Sequence, residues 1–328
     1  MTESSIHATV NGVPALIREF SADRESVIRT LTYFDIFHYP LDEEEIRQFL
    51  GTRVETHLLK EWLSQLAAAK RIFLYNGFYS LQNNPLLVHR RKQGNLQAQQ
   101  LLTPALPIGR FLFQFPFVRA IGISGSLSKN YADEKSDIDF FIITKANRLW
   151  IARTIMHAYK KLTFLLGKQH FHCMNYYIDE QAFLLEEQNI FTAIELKTLL
   201  PVCGEQVMRN FFETNQWANE RLPACPFRSQ GGKEPTTSWL KRLAEWLLKG
   251  NTGTRLERYL LTITQKRWKR KEQRGQRNKK GIPMGLITGK HFARSNPGAF
   301  QEKVLALYEQ KISVPESSPS HLIAFSAK

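Results

Sequence analysis

The stretch AIGISGSLSKNYADEKSDIDFFIIT, residues 120–144, decides the fold of the central part of this chain. An apolar run is followed by a Ser-Gly-Ser turn, a polar spacer, and a second apolar run that begins with Asp137 and Asp139. Short apolar runs bounded by turn residues are typical of buried strands. Two acids therefore stand at the start of a predicted buried strand, residues 138–144.

The spacing of these acids predicts a cation site. Residues i and i+2 of a strand point to the same face, so the carboxylates of Asp137 and Asp139 converge and repel each other unless a cation lies between them. Hard oxygen ligands suit Mg²⁺ or Mn²⁺, ions that are commonly shared with substrate phosphates. Gly125 allows the backbone to approach a phosphate, and Ser126 adds an amide and a hydroxyl. An isolated Asp-x-Asp pair is more often a turn cap and an exposed edge residue; the Gly-Ser turn at this distance argues against that interpretation.

The complete pattern, GSLSKNYADEKSDIDFFI, resembles the polymerase-β-like nucleotidyltransferase superfamily. The resemblance implies transfer of a nucleoside monophosphate from a nucleoside triphosphate to an acceptor, which is RNA, protein or a small molecule. It implies that Gly125 and Ser126 hold the terminal phosphates and that Asp137 and Asp139 bind two Mg²⁺ or Mn²⁺ ions. Lys129, in the spacer, is a further candidate phosphate contact, although a solvated loop lysine is the commoner case.

The third carboxylate of the superfamily is missing from its expected place. The corresponding predicted strand, residues 171–178, carries Asn175, which is a neutral ligand and cannot act as a base. Asp179 has the right parity but lies roughly 13 Å further along an extended strand. His172 is a candidate proton acceptor or a hydrogen-bonded structural histidine. Nucleotide and metal binding are therefore better supported than turnover, and the alternative is a non-catalytic nucleotide-sensing regulator.

Residues 1–84 are predicted to form a winged helix-turn-helix, which is three helices followed by a β-hairpin. Asp42 and Glu45 make a capping box at the start of the second helix, and Asn76-Gly77 is a strong hairpin-turn signal. Residues 1–90 hold 9 Lys and Arg against 11 Asp and Glu, so the unit lacks the cations that dominate DNA affinity. A protein contact or an intramolecular regulatory role is therefore favoured over a DNA-binding repressor.

Residues 85–182 are predicted to form an α/β (α+β) nucleotidyltransferase core with a mixed sheet and flanking helices. A helix over residues 86–103, interrupted at Gly94, precedes strands at 118–123 and 138–144, a long helix at about 148–166 and the strand at 171–178. The remainder, residues 183–328, is predicted to be a helical C-terminal region. In the superfamily such a region often closes over the nucleotide and carries acceptor specificity.

The positive charge of the chain is concentrated in one part of this C-terminal region, the basic segment of residues 241–280. It holds 14 Lys and Arg against 3 Asp and Glu, in a chain of net charge +15. Trp268 lies among its cations, which predicts an RNA or DNA partner with base stacking; a solvated tail and an anionic membrane contact are the alternatives. The apolar stripe of Trp239, Leu243, Trp246 and Leu247 predicts a helix packed on the rest of the protein.

The remaining features of the sequence concern its cellular setting. The three cysteines, Cys173, Cys203 and Cys225, have no metal-site or disulfide spacing and are expected to be structural thiols. We find no apolar run of about 18 residues and no signal sequence, so a cytoplasmic protein without a transmembrane segment is expected. The order of units is also similar to bacterial nucleotidyltransferase-domain proteins, which implies a bacterial setting.

Overall fold

The computed structural model describes residues 15–134, 136–165, 173–231, 234–277 and 281–313. The described helices are α1 (Ala15–Asp35), α2 (Glu43–Phe49), α3 (Thr56–Ala68), α4 (Leu86–Leu112), α5 (Gly125–Ser128), α6 (Leu149–Leu165), α7 (Ile190–Thr198), α8 (Glu205–Thr214), α9 (Trp217–Arg221), α10 (Trp239–Leu247), α11 (Asn251–Gln273) and α12 (Phe300–Ser313). The strands are β1 (Phe73–Tyr75), β2 (Phe78–Ser80), β3 (Val118–Ser124), β4 (Asp139–Thr144), β5 (Cys173–Asp179), β6 (Leu200–Cys203), β7 (Leu286–Thr288) and β8 (Phe292–Ser295). The protein is therefore a mixed α+β structure, as expected.

The N-terminal unit has the predicted order of three helices and a hairpin. The capping box is confirmed, since the Glu45 amide donates to Asp42 Oδ1 at 2.9 Å and the Asp42 amide donates to Glu45 Oε2 at 3.0 Å. Asn76 and Gly77 both have positive φ, 50° and 83°, as a type I′ turn between β1 and β2 requires. The side chains of the cap and the residues of the turn therefore fix the start of α2 and the β1–β2 hairpin.

The central sheet has six strands in the order β6-β3-β4-β5-β8-β7. Strands β3 and β4 are antiparallel, with Ser124 opposite Asp139, whereas β4 and β5 are parallel and are joined through α6. Parallel neighbours need such a crossover, and here it places the start of β5 beside the start of β4. The Ser-Gly-Ser turn and Asp139 therefore meet at one end of the sheet, with Cys173 beside them.

The predicted break at Gly94 is wrong, because α4 runs without interruption over 27 residues and includes Pro104 and Pro107. A Cβ at Gly94 would lie 2.2 Å from Tyr131 Cε2, so this glycine serves the close packing of Tyr131 on the helix and does not end it. Proline inside a helix costs about 3 kcal/mol through its lost hydrogen bond and ring clash. Burial of Ala105 and other α4 residues against the sheet offsets this cost.

The expectation for residues 183–328 is right for its helices but missed three strands, β6, β7 and β8, which extend the central sheet at both sides. These strands have only three or four residues, too few to show a clear alternation in the sequence. At the end of β6, Gly204 has a φ of 83°, and a Cβ there would lie 2.1 Å from the Arg119 carbonyl oxygen. The central sheet therefore contains strands from both sides of residue 182, the predicted end of the central unit.

The apolar stripe of α10 does not pack on the rest of the protein, contrary to expectation. Trp239 and Trp246 are 64% and 63% exposed, while Lys241 is buried. The cause is a pair of hydrogen bonds, since the Lys241 ammonium donates to two main-chain carbonyls. The side of α10 that carries Lys241 therefore faces the protein, and the apolar stripe faces solvent. Among the described residues, no helix combines the length and the apolar character needed to cross a membrane.

Candidate functional site

The Ser-Gly-Ser turn brings the backbone into contact with an acid. β3 ends at Ser124, and Gly125 follows with a φ of 69°, a conformation that favours glycine. A Cβ at Gly125 would lie 2.8 Å from Asp139 Oδ2, closer than real Cβ contacts allow. Ser126, the next residue, is exposed to solvent. The two halves of the sequence motif therefore touch, and glycine is needed at position 125 for two separate reasons.

The two acids lie together at the start of β4, and neither is fully buried. Burial, followed by the negative charge of Asp137, raises the pKa of Asp139 from 3.8 to about 7. Glu195 raises this pKa further, whereas the neighbouring Cys173 thiol and the charge of Lys160 lower it. A carboxylate with a raised pKa is held in an unfavourable electrostatic environment that a bound cation would relieve.

Asn175 lies at the acid pair, in the position that the motif resemblance implied for a third ligand. The strand register itself sets Cys173 opposite Asp139. Its Nδ2 donates a hydrogen bond to Asp139 Oδ1, and its Oδ1 accepts one from Cys173 Sγ at 3.1 Å. Burial raises the pKa of the Cys173 thiol to about 12, so this thiol stays protonated and fixes the amide orientation. The third position of the motif therefore presents a neutral donor to Asp139, and Asp139 Oδ2 is the oxygen that faces Gly125.

The structure places Asp179, another residue considered for the third position, away from the site. Asp179 is fully buried opposite Thr144 at the far end of β4, roughly 16 Å along the strand from Asp139. Its carboxylate accepts hydrogen bonds from the Asn147 amide at 2.8 Å and contacts His291 Nδ1 at 2.9 Å. Asp179 therefore has a structural role. His172 lies outside the described residues.

Glu195 is a carboxylate near the site that the sequence did not predict. It lies on α7, and its Oε1 accepts a hydrogen bond from Lys129 Nζ at 2.6 Å. The same ammonium donates to the Gly125 carbonyl at 3.1 Å, so Lys129 connects Glu195 to the turn. Lys129 was a predicted phosphate contact, and it does lie at the turn. Glu195 follows no motif spacing, because only the tertiary fold brings α7 beside the spacer.

The loop that follows the turn is held by the N-terminal unit and by α4. Tyr39 Oη donates to the Lys129 carbonyl at 3.2 Å, and the rings of Tyr39 and Tyr131 meet edge to face at 5.7 Å. The Asn95 amide of α4 donates to the Asn130 carbonyl. A displacement of the Ser-Gly-Ser turn would therefore alter the contacts of Tyr39 in the N-terminal unit.

The basic segment contains most of α10 and all of α11, and Trp268 of α11 is not open to solvent on both faces. Trp268 is half-buried, and Lys271 Nζ lies 4.7 Å from the centre of its ring. The predicted stacking of a nucleic-acid base on Trp268 would therefore require Lys271 to move. The cations on the outer side of α11 remain exposed.

The residues present fit a divalent cation that is shared with a ligand. In the part of the chain that the structure describes, no group of three or more His, Cys, Asp or Glu side chains could hold a metal by itself. Mg²⁺ typically takes one or two carboxylates and completes its shell with water and phosphate oxygens. Asp137 and Asp139 supply that number, and burial, followed by the negative charge of Asp137, raises the pKa of Asp139 to about 7.

Comparison with known proteins adds no assignment. No family model, no curated protein and no solved structure matches this chain. Functional conclusions therefore depend on the residues of the site.

Proposed function

We propose that the protein is a Mg²⁺- or Mn²⁺-dependent nucleotidyltransferase that moves a nucleoside monophosphate from a nucleoside triphosphate to RNA, a protein or a small molecule. The observation that carries this proposal is the contact between Gly125 and Asp139 Oδ2. It places a backbone that a phosphate can approach directly beside two carboxylates that can share a divalent cation with that phosphate. The motif resemblance supplies the reaction class.

Each residue has a physical role in this proposal. Asp137 and Asp139 would hold the metal ions, which when bound neutralise phosphate charge during in-line displacement. Gly125 and Ser126 would position the terminal phosphates. Asn175 cannot accept a proton, so the carboxylate of Glu195 is the nearby group that can take one from an acceptor hydroxyl.

Lys129 would link phosphate binding to this proton transfer. Its ammonium now lies between Glu195 and the turn. A triphosphate on the turn would attract Lys129 and weaken its pairing with Glu195, leaving that carboxylate able to accept a proton. In this proposal, phosphate binding by Lys129 and proton transfer to Glu195 thus occur in the same step.

We expect label from an α-labelled nucleoside triphosphate to enter RNA, protein or a small-molecule fraction when Mg²⁺ or Mn²⁺ is present. Asp137→Ala and Asp139→Ala should reduce incorporation to background, because each removes a metal ligand. Glu134→Ala is the matched control, since Glu134 is an exposed acid of the same loop. Equal incorporation by all three variants would contradict the proposal.

Nucleotide binding in the presence of metal should weaken as the pH falls. Asp139 has a pKa of about 7, and a metal ion requires its ionised form, so protons compete with the ion below that pH. The affinity should drop about fivefold between pH 7 and pH 6 and change little between pH 8 and pH 9. Titration calorimetry with Mn²⁺ and a nonhydrolysable triphosphate measures this. A flat profile from pH 6 to pH 8 would show that Asp139 does not bind the ion.

A nucleotide-sensing regulator is the second candidate, and one observation favours it. Tyr39 of the N-terminal unit bonds directly to the loop that follows the turn, so nucleotide binding would be transmitted to that unit. The regulator would bind nucleotide with metal but transfer no label to any fraction. The label experiment therefore separates the two candidates.

A further inference from the structure

Helix α10 is fixed to the protein by its charged side chains. Lys241 is buried, and its Nζ donates to the carbonyls of Phe113 and Val118, both at 2.7 Å. Glu245 binds Arg119 at 2.9 Å and accepts the Phe117 amide at 2.7 Å. Lys241 and Glu245 are four residues apart and so lie on the same side of the helix. Their contacts hold that side against the protein and leave the opposite side facing outward.

The outward side of α10 is a continuous apolar face. Two of its members, Trp239 and Leu240, lie four and three residues before Leu243, and the other two, Trp246 and Leu247, lie three and four residues after it, so all five adjoin on the helix surface. Their exposed fractions are 64% for Trp239, 59% for Leu240, 45% for Leu243, 63% for Trp246 and 58% for Leu247. Single exposed apolar residues are ordinary, whereas five large ones on one helix face mark an interaction site.

The polarity of α10 is the reverse of that of an ordinary surface helix. Burying an ammonium is unfavourable unless it is hydrogen-bonded, and exposing two tryptophans gives up their burial. Desolvation accordingly lowers the pKa of Lys241 to about 8. Folding alone does not favour this arrangement, so a partner for the apolar face accounts for it better.

The segment that contains α10 and α11 exposes many more cations than acids. Of the three acids in the basic segment, Glu245 is turned toward Arg119 and Glu257 is buried, accepting the amides of Trp150 and Ile151 at 2.7 and 2.9 Å. The third, Glu272, is exposed near the end of α11. The exposed cations are more numerous. Those that the structure describes as exposed on α10, α11 and the link between them are Arg242, Lys249, Arg255, Arg258, Lys266, Arg267, Lys269 and Arg270.

We propose that the apolar face of α10, with Arg242 on the same helix and Lys249 directly after it, lies in the headgroup region of an anionic phospholipid bilayer. Helices with Trp and Leu on one side and a basic surround bind in this way, with the apolar side chains at the headgroup boundary and the cations at the lipid phosphates. The protein would lie on the bilayer, since none of its described helices can span one.

Two other partners fit the surface less well. A nucleic acid gains from cations and exposed rings, but Leu240, Leu243 and Leu247 offer it nothing. A second copy paired about a two-fold axis through α10 would bring Arg242 and Lys249 close to the same cations of its partner, and like charges repel. An anionic lipid surface is complementary to both the apolar and the basic groups.

Sedimentation of the full-length protein with vesicles tests the proposal. Binding is expected to phosphatidylcholine vesicles that contain phosphatidylserine, to be weak on phosphatidylcholine alone, and to fall with added salt. Trp239→Ser with Trp246→Ser should reduce the partition coefficient about a hundredfold, because two large apolar side chains are removed. Arg242→Gln should reduce it about fivefold.

The matched control is Leu86→Ser, which removes a side chain that is 72% exposed outside α10 and should leave partitioning unchanged. All the substituted residues are exposed, and equal thermal unfolding confirms that each variant is folded. No sedimentation with anionic vesicles, or equal sedimentation of the double tryptophan variant, would overturn the proposal. A dimer or an RNA complex that the double variant loses, without lipid binding by the wild type, would also overturn it.

Discussion

Replacing Asp139 with asparagine is expected to stabilise the metal-free protein while removing its Mg²⁺-dependent nucleotide binding. The pKa of Asp139 is raised from 3.8 to about 7, which corresponds to about 4 kcal/mol of unfavourable charge at neutral pH. Because the side chain is partly exposed, we expect a gain of about 2 kcal/mol in the free energy of unfolding. The affinity for nucleotide should fall by more than about a hundredfold, since even residues that only support metal ligands contribute 10–100-fold.

The stabilisation that Asp139→Asn gives should increase as the pH rises. The folded-state pKa of Asp139 lies above the unfolded value, so ionisation destabilises the folded protein progressively as the pH rises from 3.8 through about 7. The difference in melting temperature between Asp139→Asn and the wild type should be largest at pH 8 and small near pH 4. Differential scanning calorimetry in the presence of a chelator measures it.

Asp179 provides the control, because it is a buried acid on the neighbouring strand with its charge well satisfied. Its carboxylate accepts the amides of Asn147 and Gln181 at 2.8 and 2.9 Å. Asp179→Asn weakens charge-assisted hydrogen bonds, so it should destabilise the protein by about 1–3 kcal/mol. Destabilisation by Asp139→Asn of the same size would contradict the idea that Asp139 is kept for ligand binding at a cost to stability.

Replacing Gly125 with alanine is expected to reduce nucleotide transfer about a hundredfold. The new Cβ would lie 2.8 Å from Asp139 Oδ2, so the carboxylate must move, and a displacement of about 1 Å can reduce rates by that factor. The left-handed backbone adds a loss of about 1–2 kcal/mol in the free energy of unfolding. Initial rates of label transfer and chemical denaturation measure the two effects.

Gly77→Ala separates these two effects. Gly77 also has a positive φ, 83°, but a Cβ there meets nothing within 4 Å. It should therefore show the backbone cost alone, about 1–2 kcal/mol, with transfer unchanged. If the two variants lost equal stability and equal activity, the contact between Gly125 and Asp139 would have no functional role.

Local features were predictable where neighbouring residues decide the structure. The capping box of Asp42 and Glu45 and the hairpin at Asn76-Gly77 depend on side chains within three residues of each other. The closeness of Asp137 and Asp139 followed from strand parity, whereas the position of Asn175 beside Asp139 was implied by the motif resemblance. In these cases the period of a strand or turn carries the information.

Other features depend on which elements meet, and the pattern of a single segment cannot reveal that. Glu195 approaches the turn only because α7 packs beside the spacer. The apolar stripe on α10 indicated a face but not its direction, which the bonds of Lys241 to Phe113 and Val118 decide. Similarly, Gly94 resembled a helix break because the ring of Tyr131 that requires it lies far along the chain.

The central claim is that Asp137 and Asp139 bind a metal ion together with a nucleoside triphosphate. Titration calorimetry of the purified wild-type protein with each triphosphate, in the presence of Mg²⁺, Mn²⁺ or a chelator, tests it most directly. We expect the triphosphate to bind in the presence of either metal and not in the presence of the chelator. The variants Asp137→Ala and Asp139→Ala should show no binding. Failure of every triphosphate to bind with either metal, or equal binding with the chelator, would contradict it.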